Sequence, residues 1–411
     1  MLLLICIHVT KPNSLINNNI YSTKICAVAE RRNEVMMNTF TKKNSEKLDK
    51  FTSMSKIAGS RSDYVQGGGG NTSCKLDEQL MVIKASGFRL DQITPDHAYA
   101  VLDYAVLRDF YGKTDPAKLD DIEKIGSEQT KTATMTIDGL PELRPSVEAG
   151  FHSILDTFVL HTHAVYANLL ACAAEGQKII DEIMTSLGEP YAIVPYINPG
   201  AQLTFAIATA REAAAQNTGK KPSVIFMENH GLVVTGETAE YCLDLHDRVN
   251  LAIAAYFDFP ISNWPSFKLK SVKQGENTYY LSQTDTLRNR LLQGGWDANY
   301  FMADALYPDQ LVFLNGQISV NQTDSAESFL QKKINPESKV MLFSRTGEIL
   351  YHTAENEAQT IEETLYCVLF IKDTIQNKKF TVQTMNETGK SFIQNWESEK
   401  YRKSVAERNI E

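Results

Sequence analysis

Cysteine is scarce: there are six in 411 residues, scattered at Cys6, Cys26, Cys74, Cys172, Cys242 and Cys367, with no CxxC pair. That excludes a disulfide framework and suits a reducing compartment, so a cytoplasmic location is expected. No apolar run approaches the roughly 18 residues that span a bilayer. A basic block is missing too. With 41 Lys plus Arg against 50 Asp plus Glu the formal charge is -9, and neither nucleic acid nor an anionic membrane surface is an expected partner. The glycine run Gly67–Gly70 matches neither GxxxxGK[ST] nor GxGxxG, which argues against a nucleotide loop. Residues 1–9 are apolar, but no basic stretch precedes them and no convincing small-residue cleavage site follows. Residues 1–50 are therefore expected to be a leader, disordered or upstream of the native start.

What remains describes an ordinary globular chain, 43% hydrophobic and 22% charged, long enough for two or three domains. Residues 41–60 read as a helix. Gln66 to Ser73, with four consecutive glycines, reads as a loop whose backbone can approach another group closely. Leu80 to Lys84 is a short buried strand. Residues 97–111 read as a helix, and 113–143 as a charged, turn-rich surface excursion. Strands are expected at Phe158, Val194 and Val224, with helices over 164–175, 203–216 and 239–257. Short strands alternating with helices indicate an α/β fold. The character changes at Pro260 to Gly275, which sets a boundary between residues 51–260 and a smaller α/β unit over 261–411. In that unit, 311–314, 340–343 and 348–351 read as strands and 357–377 as a helix.

Of eight histidines, two form His161-Thr162-His163 at the end of an apolar strand. Positions i and i+2 of a strand face the same way, so both imidazoles can converge on one ion. Alone, such a pair is more often a satisfied core feature. His230 strengthens the case, because it too follows an apolar strand, where α/β folds place their sites. Three imidazoles with an open position is a catalytic zinc pattern. Glu148 is placed as a fourth ligand or an acid/base, and its bland reading is a solvated carboxylate. Asn71, Ser86, Gly87 and Ser146 offer hydroxyls, an amide and free backbone N–H groups to an anion. Lys75 and Lys84 read equally well as surface lysines. His152, four residues beyond Glu148, shares its face at best indirectly, and His246 reads as structural. Tyr307-Pro308-Asp309 lies near a site entrance in one reading, with no motif behind it.

These motifs, GGGGNTS (67–73), IKASG (83–87), RPSVE (144–148), VLHTH (159–163), INPG (197–200) and ENHGLVV (228–234), occur in an order that resembles the class II aldolase/adducin family. The C-terminal segments ALYPDQLVFL, EAQTIEETL and NWESEKYR resemble its long bacterial members with an added domain. The resemblance implies a three-layer α/β/α core with a central, mainly antiparallel sheet. It implies that His161, His163 and His230, with Glu148, hold a divalent metal, usually zinc. It implies that Asn71, Ser86, Gly87 and Ser146 bind a phosphate, and that Glu148 also serves as acid/base. The implied activity is cleavage or formation of a C–C bond in a ketose phosphate or related sugar acid, through a metal-stabilised enediolate. A homotetramer and a small sugar-phosphate-like substrate follow by the same resemblance. Two points depart from the family's simpler aldolases: Val147 stands where they have a second serine, and the Tyr they draw from a neighbouring subunit has no anchoring motif here. A 4-epimerase, dehydratase or decarboxylase on the same scaffold is the nearest alternative, although Glu at 148 leans toward the aldolases. A non-catalytic adducin-like interaction module is the alternative of another class.

Overall fold

The computed structural model describes residues 39–332 and 336–395. Most of the expected leader, residues 1–38, lies outside the described residues. Its last twelve residues do not behave as a leader. They lie in the helices Thr39–Lys43 and Ser45–Gly59, and Leu48 is fully buried.

Eight strands form the main sheet: β1 (Asn71–Lys75), β2 (Leu80–Lys84), β3 (Tyr99–Asp103), β4 (Thr134–Met135), β5 (Phe158–Thr162), β6 (Tyr191–Val194), β7 (Val224–Met227) and β8 (Gly231–Gly236). Their order is β4-β3-β2-β1-β5-β8-β7-β6, antiparallel throughout except for the parallel pair β6–β7. Successive side chains of the central strand go to opposite faces. Phe158 and Leu160 join one apolar layer, packed under the helices Ser45–Gly59, Val165–Ala171, Gly176–Leu187 and Ala239–Tyr256. Val159 joins another, with Leu203 and Ile207 of the helix Ala201–Thr218. This is the expected α/β/α arrangement. Its helices begin and end at chemically legible points. The Thr238 hydroxyl accepts from the Tyr241 N–H at the start of Ala239–Tyr256, and left-handed Gly188 and Gly219 close the helices Gly176–Leu187 and Ala201–Thr218.

Several local expectations fail. The segment read as a helix from His97 is first a strand, β3, and the helix starts only at Tyr104, capped by Asp103. Asn71 to Ser73, read as loop, are the start of β1. The supposed excursion at 113–143 contains the helix Ile122–Ala133. Leu311 to Leu314, read as a strand, end the helix Pro308–Leu314.

A second sheet, in the order β11-β12-β13-β10-β9, is built from β9 (Leu269–Gln274), β10 (Asn277–Ser282), β11 (Ile318–Asn321), β12 (Val340–Phe343) and β13 (Glu348–Tyr351). The two sheets divide near residue 260, but the core does not. One buried cluster runs from Leu48 and Phe51 through Leu160 and Leu245 to Tyr307, Leu311, Ile361, Leu365 and Ile393. The helices Pro308–Leu314 and Glu355–Asn377 lie against the first unit, and the second of them closes in the first glycine of the glycine run: a Cβ on Gly67 would meet Thr360 Cγ2 at 2.4 Å.

Candidate metal centre and anion cleft

Strand register assembles the site. In the β1–β5 pair, Asn71 stands opposite His161. His163 follows the end of β5, and His230 sits in the tight turn between β7 and β8. That turn is shaped by Asn229, whose φ is +50°. The Asn229 amide donates to the carbonyls of Leu306 and Gln383, both at 2.9 Å, which ties the turn to the C-terminal unit. Three ligand-capable nitrogens of His161, His163 and His230 lie within 4.8 Å of one another, all on buried residues. Nε2 of His161 and Nε2 of His163 are 3.2 Å apart. Glu148 caps the group, with Oε2 at 3.5 Å from His161 Nε2 and Oε1 at 3.3 Å from His230 Nε2.

The chemistry of this donor set fits a cation. His161 Nδ1 lies 3.0 Å from the Leu232 carbonyl, which can only accept, so Nδ1 carries the proton and Nε2 presents a lone pair. His163 Nδ1 lies 2.5 Å from Asp309 Oδ2, and the same reasoning aims its Nε2 lone pair inward. Glu148 Oε1, buried, has no hydrogen-bond partner. Lone pairs and a carboxylate crowded together repel unless a positive charge lies among them. Burial, offset in part by Glu148, lowers the pKa of His161 to about 4. The ring is thus neutral at physiological pH and its lone pair is available.

Around this group an open cleft of about 480 Å³ is lined by Gly68, Asn71, Lys84, Ser86, Gly87, Ser146, Val147, Glu148, His163 and His230. Seven of the eight candidate ligand and anion-binding residues line this cleft, and the eighth, His161, joins them through the histidine cluster. The Asn71 amide donates to Glu148 Oε2 at 2.6 Å and to Ser146 Oγ at 3.0 Å. Asn71 is itself oriented by His152, whose Nε2 meets Asn71 Oδ1 and whose Nδ1 lies 2.7 Å from Ser73 Oγ. Burial holds the His152 pKa well below the usual imidazole range, and a neutral Nε2–H tautomer satisfies both contacts. Ser86 and Ser146 are brought side by side because the chain at 84–86 pairs with 144–146: the Ser86 N–H donates to Arg144 O and the Ser146 N–H to Lys84 O. Lys84 is no surface lysine. It is buried, and its ammonium donates to the carbonyls of Gly68 and Phe88 at 2.9 and 2.8 Å, pinning the glycine loop. Lys75 instead donates to Leu155 and Asp156 carbonyls and does not line the cleft. Val147 lines it with an apolar side chain. His246 is structural, as expected: its Nε2 lies 2.7 Å from Thr162 Oγ1 and its ring packs edge-on to Tyr64.

Asp309 is the residue that motif reading did not assign. It is fully buried, at the start of the helix Pro308–Leu314. Pro308, next to it, lines the cleft. The sequence places Tyr307-Pro308-Asp309 near a site entrance without a motif; Pro at the helix start followed by an acidic residue is a further signal there.

The chain belongs to the class II aldolase/adducin family: the family model described as "Class II Aldolase and Adducin N-terminal domain" matches residues 50–256. Among curated proteins it is similar to the "uncharacterized oxidoreductase YuxG" of Bacillus subtilis (strain 168), with 30% identity over 211 residues, 47% of this chain and 27% of that protein. The match thus spans about a quarter of the length of that relative. Among solved structures it is similar to the N-terminal class II aldolase domain of a conserved protein from Thermoplasma acidophilum (23% identity, TM-score 0.42, covering 51% of this chain and 92% of that one). It is also similar to YgbL of Klebsiella pneumoniae (17% identity, TM-score 0.38, covering 52% and 90%).

Proposed function

We propose that the protein is a divalent-metal-dependent lyase of the aldolase type, acting on a small ketose phosphate or related sugar acid. The observation that carries this reading is the convergence of three imidazoles and Glu148 on one point, beside a cleft lined by Gly68, Gly87, Ser86, Ser146 and Asn71. His161, His163 and His230, with Glu148, would hold the cation, zinc by resemblance. Such a cation supplies Lewis acidity, polarising the carbonyl oxygen of a bound substrate. The chain's own groups do the rest. Glu148 keeps Oε2 fixed by Asn71 and Oε1 without a hydrogen-bond partner, which suits an oxygen that takes up and returns a proton at the carbon next to the carbonyl. Ser86, Ser146 and the N–H groups around Gly68 and Gly87 orient the anionic end. Val147 removes one hydroxyl from that cradle, so the anion is held by backbone and by two serines. The intact donor set favours an enzyme over an interaction module.

The test is to load the protein with zinc and incubate it with dihydroxyacetone phosphate and a panel of aldehydes. A condensation product is expected, lost on chelation and restored by zinc. No product with any aldehyde would overturn the aldolase assignment. Full activity of metal-stripped protein would overturn the metal assignment.

A further inference from the structure

We infer that Asp309, delivered by the C-terminal unit, is a positioning residue for His163, so that the metal centre is completed from outside the segment that carries its ligands. The inference rests on the metal reading above, and it starts from the bond itself. Asp309 Oδ2 and His163 Nδ1 are 2.5 Å apart, with Asp309 fully and His163 almost fully buried. An ionised carboxylate only accepts, so the contact fixes the imidazole as its Nδ1–H tautomer. Nε2 is then left as a lone pair, 3.2 Å from Nε2 of His161. A charge-assisted bond shielded from water is among the stronger neutral-pH restraints on a ring's rotation and tautomer.

The glycine loop is shaped around this pair. A Cβ on Gly69 would lie 2.3 Å from Asp309 Oδ2 and 3.0 Å from His163 Nδ1. The backbone of the loop therefore closes over the bond and leaves no room for a side chain. This gives the third glycine of the run a role in enclosing a carboxylate–imidazole pair, separate from any role toward an anion.

A second tie reaches the other end of the site. The Asn229 amide donates to Leu306 and Gln383 carbonyls, and Asn229 precedes His230. Leu306 in turn is held by Gln310, whose Oε1 accepts its N–H at 2.8 Å. The short stretch 306–310 thus contacts one of the three histidines, His163, directly and another, His230, through its neighbour Asn229. The helix that carries it is packed into the main core through Leu311, Val312 and Leu314, so Asp309 is placed by packing rather than by a mobile loop.

The experiment uses the full chain. Histidine-selective 15N labelling of metal-free protein reports the His163 tautomer, and a competition titration with a chromophoric chelator reports zinc affinity. Wild type is expected to show Nδ1–H on His163. Asp309→Asn is expected to show a mixture or the Nε2–H form, and to bind zinc about 10–100-fold more weakly. Asp309→Glu is expected to recover part of that loss. Gly69→Ala, which leaves Asp309 in place but crowds the bond, is expected to weaken zinc in the same direction. An Nε2–H His163 in the wild type would overturn the inference, as would unchanged tautomer and unchanged zinc affinity in folded Asp309→Asn. If wild type binds no zinc while His163 is still Nδ1–H in it and not in Asp309→Asn, the metal reading fails and the positioning role stands.

Discussion

Glu148 sits between two imidazole nitrogens and the Asn71 amide, and its two oxygens are in different situations. One is fixed by a hydrogen bond and the other is not. Glu148→Gln keeps the shape and removes the base. The expected result is a fall in kcat of about 10²–10⁴-fold, with an unfolding midpoint close to that of wild type. A comparable loss of stability would assign the residue to the fold instead. The buried histidines carry a second prediction. Burial lowers His161 to about 4 and His246 to about 3, and holds His152 well below the usual range. Their unfolded values lie at about 6.5. Below that pH the unfolded chain takes up protons that the folded chain refuses, so stability is full above about 6.5 and declines as the pH falls toward 4. Urea midpoints of metal-free protein should therefore drop steadily from pH 7 to pH 4.5, and His246→Gln should flatten part of that slope. A midpoint that rises with acid would contradict the neutral assignment. At this scale the sequence was informative wherever a motif fixed a residue on a strand end, as for His161, His163 and His230. It places Tyr307-Pro308-Asp309 near a site entrance but does not pair Asp309 with His163, because the partner of a buried imidazole is chosen by tertiary packing, and nothing in the order of residues links 163 to 309.

Elements show the same division between what period and composition can and cannot resolve. The buried strands β2, β5 and β7 were legible from apolar runs bounded by turn residues. Leu311 to Leu314 was not, because four apolar residues in a row suit a buried strand and a buried helix equally; Pro308 at the first helical turn decides it. Tyr99 to Asp103 was absorbed into a helix because the helix that follows it starts without a break. The long helix Glu355–Asn377 links both units: Ile361, Leu365 and Leu369 belong to the common core, and Thr360 abuts Gly67 of the glycine loop. Leu365→Ala should cost about 2–5 kcal/mol, the range for a leucine truncated in a packed core, as read by denaturant unfolding. A cost below about 1 kcal/mol would mean that the C-terminal unit is docked loosely.

For the molecule as a whole, one continuous core crossing the boundary near residue 260 leads to a calorimetric expectation. Thermal unfolding should show a single cooperative transition rather than two. A fragment of residues 39–260 alone should expose the surface that Tyr307, Leu311 and Leu365 cover, and bind a hydrophobic dye. Two separate transitions, or a fragment that stays monomeric and dye-silent, would show that the units fold independently. Among the described residues no helix is long and apolar enough to cross a membrane.

The ties from Asp309 to His163 and from Asn229 to Gln383 also order events in time. Gln383 lies roughly 150 residues beyond His230 in the chain, and ribosomes add about 5–20 residues per second. For on the order of ten seconds or more, a nascent chain carries all three histidines without the groups that set their geometry. The geometry around His163 and His230 is therefore complete only after residues 306–310 and Gln383 have packed onto the segment that carries the histidines.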